Sequence, residues 1–155
     1  MSILRSLIPM SFRVLSNIVP SIAGRVSYQL FTRPFASSIN LRPEKQQAID
    51  EMLAGCQRES LSTTGGIVEL YHFELEASPE TPRVLLVHGW SSRSDYMLNL
   101  ADAFLKAGFR VTAMDFPAHG RSPGKTLRGP DAVSAIRAVR AKLGAVHTQL
   151  GHSFG

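Results

Sequence analysis

Three short, largely apolar runs constrain this chain more than anything else in it. Val84-Leu85-Leu86-Val87, Arg110–Met114 and Ala145–Leu150 each have the length of one strand. The first two fit strands buried on both faces, and the third fits a strand. Between them lie segments with apolar residues at helical spacing. Met97, Leu98, Ala101, Phe104 and Leu105 form one, closed by Gly108; Val133, Ile136, Val139 and Leu143 form the other, opened by Pro130 and closed by Gly144. Strands alternating with helices predict parallel βαβ units, hence an α/β fold with a mostly parallel sheet and helices on both faces. In such sheets, sites collect beyond the carboxyl ends of the strands. His88-Gly89-Trp90, Asp115–Ser122 and Gly151–Gly155 all fall at such ends.

Upstream, Pro43 sits where a helix begins, and Ala48, Ile49, Met52 and Leu53 repeat at helical spacing before Gly55 stops it. Gly65-Gly66 reads as a turn leading into a strand over Ile67–Leu75, and Ser78-Pro79-Glu80-Thr81-Pro82 reads as a loop.

The last cluster, Gly151-His152-Ser153-Phe154-Gly155, fits the nucleophile elbow G-x-S-x-G. A serine on a sharp strand-to-helix turn stands exposed above the sheet, and small residues two places to either side avoid clashes. His88, His119 and His152 all lie near strand ends, but no pair has metal-ligand spacing and no cysteine or acid set joins them. No Walker loop or G-x-G-x-x-G fingerprint is present, so neither a metal nor any other cofactor is expected.

Val-Leu-Leu-Val-His-Gly-Trp (84–90), Asp-Phe-Pro-Ala-His-Gly-Arg-Ser (115–122) and Gly-His-Ser-Phe-Gly (151–155) stand in an order that resembles the α/β-hydrolase superfamily, serine-nucleophile branch. The resemblance covers roughly residues 60–155. It implies that Ser153 is the nucleophile and that the backbone N–H groups of Trp90 and Phe154 form the oxyanion hole. His88, Gly89, Asp115, His119, Gly151 and Gly155 are then structural residues near the site. Neither Asp115 nor His88 is expected to be catalytic, because the triad acid and histidine follow the serine in this fold. The serine also separates the chain from the haloalkane dehalogenase and epoxide hydrolase branches, which use an aspartate there.

The implied reaction is hydrolysis of a small-molecule ester or thioester through an acyl-enzyme. Carbon–carbon bond hydrolysis and a non-catalytic binding protein of the same fold are the alternatives. Ala118 stands where many relatives have glycine, and Thr148 and Gln149 bring polar groups into a strand that is usually apolar. His72 and His147 do not substitute for the triad histidine. The residues are therefore read as the N-terminal part of such a domain (44–155), inactive alone and ending at the nucleophile, behind a basic arm (1–43).

The formal charge of +5 belongs to that arm. Residues 1–42 hold Arg5, Arg13, Arg25, Arg33 and Arg42 and no acid, whereas the remainder is balanced. A nucleic-acid-binding face is accordingly not expected. The arm's apolar residues, among them Ile3, Leu4, Leu7, Ile8, Leu15, Ile18, Ile22 and Val26, are spaced roughly as in a helix, broken by Pro9 and Pro20. Its arginines and prolines interrupt every window long enough to span a bilayer. Three roles stay open for it: packing beside the domain, contact with a lipid surface, or organelle targeting. The single cysteine, Cys56, points to a reduced, cytoplasmic setting, with membrane association through the arm as the variant.

Overall fold

The computed structural model describes residues 19–35, 42–73, 78 and 80–155. Most of the arm's apolar positions, from Ile3 to Ile18, and the end of the strand expected to reach Leu75 lie outside them. The chain divides into two compact units, Met1–Arg33 and Pro34–Gly155.

In the first unit, Pro20 opens helix α1 (Pro20–Phe31), where its missing N–H costs nothing. The Oγ of Ser27 donates to the Ala23 carbonyl at 2.8 Å, and Thr32 Oγ1 donates to that of Tyr28 at 2.9 Å.

The second unit begins with α2 (Pro43–Ala54), again with proline in its first turn and Glu44 beside it, where the helix dipole favours a carboxylate. A hairpin follows, β1 (Gln57–Thr63) and β2 (Gly66–Phe73), paired from Thr63 opposite Gly66 to Gln57 opposite His72. Then come β3 (Arg83–Val87), a 3-10 turn (Ser94–Met97), α3 (Leu98–Lys106), β4 (Arg110–Asp115), α4 (Gly129–Leu143) and β5 (Thr148–Gly151). The strand order is β1-β2-β4-β3-β5. Parallel pairing is confined to β4, β3 and β5, while β1–β2 and β2–β4 are antiparallel.

Strand alternation sorts the core into two layers. Tyr71, Phe73, Val84, Leu86, Val111 and Ala113 face one side, where α2 and α3 cover them through Leu53, Leu98 and Ala101. Val68, Leu70, Leu85, Val87 and Met114 face the other side, where α4 supplies Ala132, Ala135 and Val139. Helices thus lie on both faces. Leu85 and Leu86 are both wholly buried, one against each layer.

Two elements differ from the sequence expectation. β1 was not anticipated, because Gln-Arg-Glu-Ser-Leu-Ser-Thr has one apolar residue and reads as loop; pairing with β2 makes it an edge strand. β5 starts at Thr148, three residues later than expected, because its ladder with β3 begins where Thr148 meets Val84. Thr148 is half-buried and Gln149 exposed on this strand, so neither polar side chain enters the core.

Leu86→Ala should destabilise the unit by about 2–5 kcal/mol through lost burial and cavity formation. Ile67→Ala, on the exposed side of β2, should stay within about 0.5 kcal/mol. Urea midpoints of the two variants provide the comparison.

Candidate active site

The carboxyl ends of β4, β3 and β5 converge, and the three sequence clusters meet there. At the end of β4, Asp115 is 1% exposed and organises the loop that follows. Its Oδ1 accepts from Ser94 N at 2.7 Å; its Oδ2 accepts from Tyr71 Oη and Arg121 N, both at 2.9 Å. The Asp115 carbonyl takes the Ser122 hydroxyl at 2.7 Å, and the same Oγ accepts from Glu69 N at 2.8 Å. A Cβ on Gly120 would run into the Asp115 carboxylate, so the loop can wrap this closely only with glycine there. Burial, reinforced by the neighbouring Asp115, pushes the Tyr71 phenol up, so it remains a proton donor.

His88 and His119 cross-link the β3 and β4 loops reciprocally. His88, from the β3 side, accepts Phe116 N on Nε2 at 3.1 Å and donates from Nδ1 to the Gly89 carbonyl at 2.7 Å. His119, from the β4 side, accepts Ser91 N on Nε2 at 3.1 Å and donates from Nδ1 to the Pro117 carbonyl at 3.0 Å. Each ring therefore has one fixed neutral tautomer. His88 Nε2 also lies 3.7 Å from Asp115 Oδ1. With that nitrogen accepting an N–H, the approach is not an ion pair. Burial, the dominant influence in both cases, holds the two imidazoles below the ordinary histidine range.

The elbow follows β5. His152 N donates to the Val87 carbonyl at 3.0 Å, Ser153 takes φ +57°, and Gly155 N closes the turn onto the His152 carbonyl at 3.1 Å. This left-handed conformation is strained for serine. A Cβ on Gly151 would strike the backbone of Gly155, and one on Gly155 would strike that of Val87. On Gly89 it would lie 3.0 Å from the His152 carbonyl and 3.1 Å from Ser153 Cβ, so the β3 loop presses directly on the Ser153 turn. His152 and Ser153 are exposed. The rings of Trp90 and Phe154 meet edge to face at 5.4 Å, Phe154 also packs on Phe116 at 5.8 Å, and Trp90 packs on His119 at 5.3 Å.

Ser153, Trp90, Phe154, His88, Gly89, Asp115, His119, Gly151 and Gly155 thus occupy one place, and the two excluded histidines do not join them. His72, on β2, contacts Thr112 Oγ1 at 3.1 Å, and His147, just before β5, stacks beside Phe109 at 5.7 Å. Tyr71, Ser94 and Ser122 were missed by sequence reasoning. Only the Ser122 position within the β4 motif carried any local signal. No group of three or more His, Cys, Asp or Glu residues is placed to hold a metal among the described residues.

Residues 82–155 match the family model described as alpha/beta hydrolase fold. Among solved structures, an epoxide hydrolase from an endophytic Streptomyces is similar, with 29% identity and TM-score 0.54, covering 65% of this chain and 30% of that one. The thioesterase domain from the curacin biosynthetic pathway has 27% identity and TM-score 0.53, covering 64% and 38% respectively. The Pyrococcus furiosus esterase Pf2001, at 20% identity and TM-score 0.58 over 79% and 47%, shares the fold. The chain spans less than half the length of each of these. No curated protein matches it in sequence.

Protonating either histidine would remove an acceptor from a buried N–H. The unfolded chain titrates these rings near pH 6.5, above their native values. Their stabilising contribution is therefore complete above that pH and is lost as pH falls towards the native pKa. Urea midpoints measured from pH 8 to pH 5 should decline, and His119→Gln should flatten that decline. Ala118 has φ +65°, so Ala118→Gly should be neutral or stabilising by up to about 1 kcal/mol, readable as a raised thermal midpoint.

Proposed function

Residues 82–155 carry the α/β-hydrolase fold, and on that premise we propose that the protein hydrolyses an ester or thioester through an acyl-enzyme at Ser153. The observation that carries this reading is the exposed Ser153 at φ +57°, on a turn that only the flanking glycines allow. In the reaction, Oγ attacks the acyl carbon and its proton passes to a base. The bond to the alcohol or thiol breaks as that proton is delivered to the leaving group. Water then repeats the attack on the acyl-enzyme. Trp90 N–H and Phe154 N–H receive the oxyanion, a donor of this kind contributing about 3 kcal/mol.

The structural relatives include an epoxide hydrolase as well as a thioesterase domain and an esterase. Opening an epoxide through a covalent ester needs a carboxylate at the elbow. A hydroxyl at that position suits acyl transfer, so the thioesterase and esterase comparison is favoured.

The base is neither His88 nor His119, since both nitrogens of each ring are engaged with the backbone. In line with the family's chain order, we assign it to a histidine that follows the serine, oriented by an acid that does likewise. The proposed substrate is a small-molecule ester or thioester.

A fluorophosphonate probe should label the native protein at Ser153, and Ser153→Ala should lower its turnover of a p-nitrophenyl ester by about 10³-fold or more. Residues 1–155 alone should hydrolyse the ester no faster than their Ser153→Ala variant. Labelling at another residue would sink the nucleophile assignment, and Ser153-dependent turnover by residues 1–155 would sink the assignment of the base.

A further inference from the structure

Helix α1 presents apolar side chains without burying them. Ile22, Val26 and Leu30 recur every fourth residue and so share an arc of roughly 80° on its surface. Ile22 is 50%, Leu30 49% and Val26 36% exposed. An isolated exposed leucine needs no explanation, but several on one helix of 12 residues mark a surface with a partner.

Charge identifies that partner. Arg25 lies beside the stripe and Arg33 just beyond the last turn, in a stretch of 42 residues that has five arginines and no acid. Two hydroxyls are satisfied internally, Ser27 on the Ala23 carbonyl and Thr32 on that of Tyr28. They therefore add little cost when the surface leaves water. Among the described residues, no helix is long and apolar enough to cross a membrane. A nucleic acid would meet the arginines but leave Ile22, Val26 and Leu30 in water. A protein partner would need acids matched to the arginines as well as an apolar groove, two conditions that an anionic lipid surface meets at once.

We propose that α1 lies on an anionic lipid surface, with Ile22, Val26 and Leu30 inserted at the headgroup–acyl boundary and the arginines at the phosphates. This mode needs both an apolar face and basic charge, and α1 has both. The inference is independent of Ser153.

The test mixes the full 155-residue chain with sedimentable vesicles of phosphatidylcholine, with or without phosphatidylglycerol. The chain should co-sediment with the mixed vesicles and far less with phosphatidylcholine alone. Raising salt to about 1 M, where the Debye length is about 3 Å, should weaken binding. Arg25→Gln should reduce it about fivefold. Ile22→Asn with Leu30→Asn should reduce it at least about tenfold; both side chains are exposed, so an unchanged circular dichroism spectrum is expected. Equal binding to both vesicle types, or binding indifferent to the double substitution, would overturn the proposal. So would absence of vesicle binding together with self-association that the double substitution abolishes, which would make the stripe a contact between copies. Ser153→Ala should leave vesicle binding unchanged.

Discussion

The buried carboxylate of Asp115 is the interaction on which the site depends. A carboxylate taken from water loses several kcal/mol of solvation unless donors replace it. Here two backbone N–H groups and one phenol do so, drawn from the 3-10 turn, the β4 loop and β2. Hydrogen bonds to a charged group contribute about 1.5–3 kcal/mol each, enough together to offset that loss. The donors belong to three segments distant in sequence, so satisfying one carboxylate fixes how three elements meet. Ser122 extends the arrangement by joining the Asp115 carbonyl to the β2 backbone. The path of the β4 loop, and the position of His119 within it, follow.

From there the constraint passes to the Ser153 turn. His119 reaches Ser91 N and His88 reaches Phe116 N, so the β3 and β4 loops each hold the other. Trp90 lies between those two anchors, packed on His119 on one side and on Phe154 on the other. Gly89 then brings the β3 backbone against His152 and Ser153. The proposed oxyanion donors would require this kind of rigidity, and the loops obtain it from backbone groups bonded to buried neutral imidazoles.

Much of this was legible in the sequence, and the rest was not, for identifiable reasons. The apolar run 84–87 could only be a strand buried on both faces, and the glycines at 151 and 155 announced a turn with no room for side chains. Asp115 and His119 could be read as loop residues because they follow a strand and precede Gly120. β1 was hidden because Gln57–Thr63 is an edge strand stabilised by pairing with β2, and its own residues are largely polar. Tyr71 read only as a strand aromatic. Its role comes from a phenol reaching a residue 44 positions away, and no local pattern encodes that contact. Ala118 stood out as a departure from glycine, yet only the backbone shows its reason, a left-handed conformation that alanine tolerates at some strain.

The division of labour among the histidines bears on how such a site can evolve. A ring that accepts one backbone N–H and donates to one carbonyl is held in a single tautomer, and its burial opposes the charge a general base must acquire. His88 and His119 meet both conditions, so their proximity to Ser153 gives them no part in proton transfer. Under the acyl-enzyme reading proposed above, the proton acceptor is instead a ring with a nitrogen open towards Oγ. Such a ring can be delivered by another loop without disturbing Asp115, because the framework described above is closed on itself. Scaffold and proton relay are then separable, and a change of relay or substrate leaves the Asp115–His88–His119 framework in place.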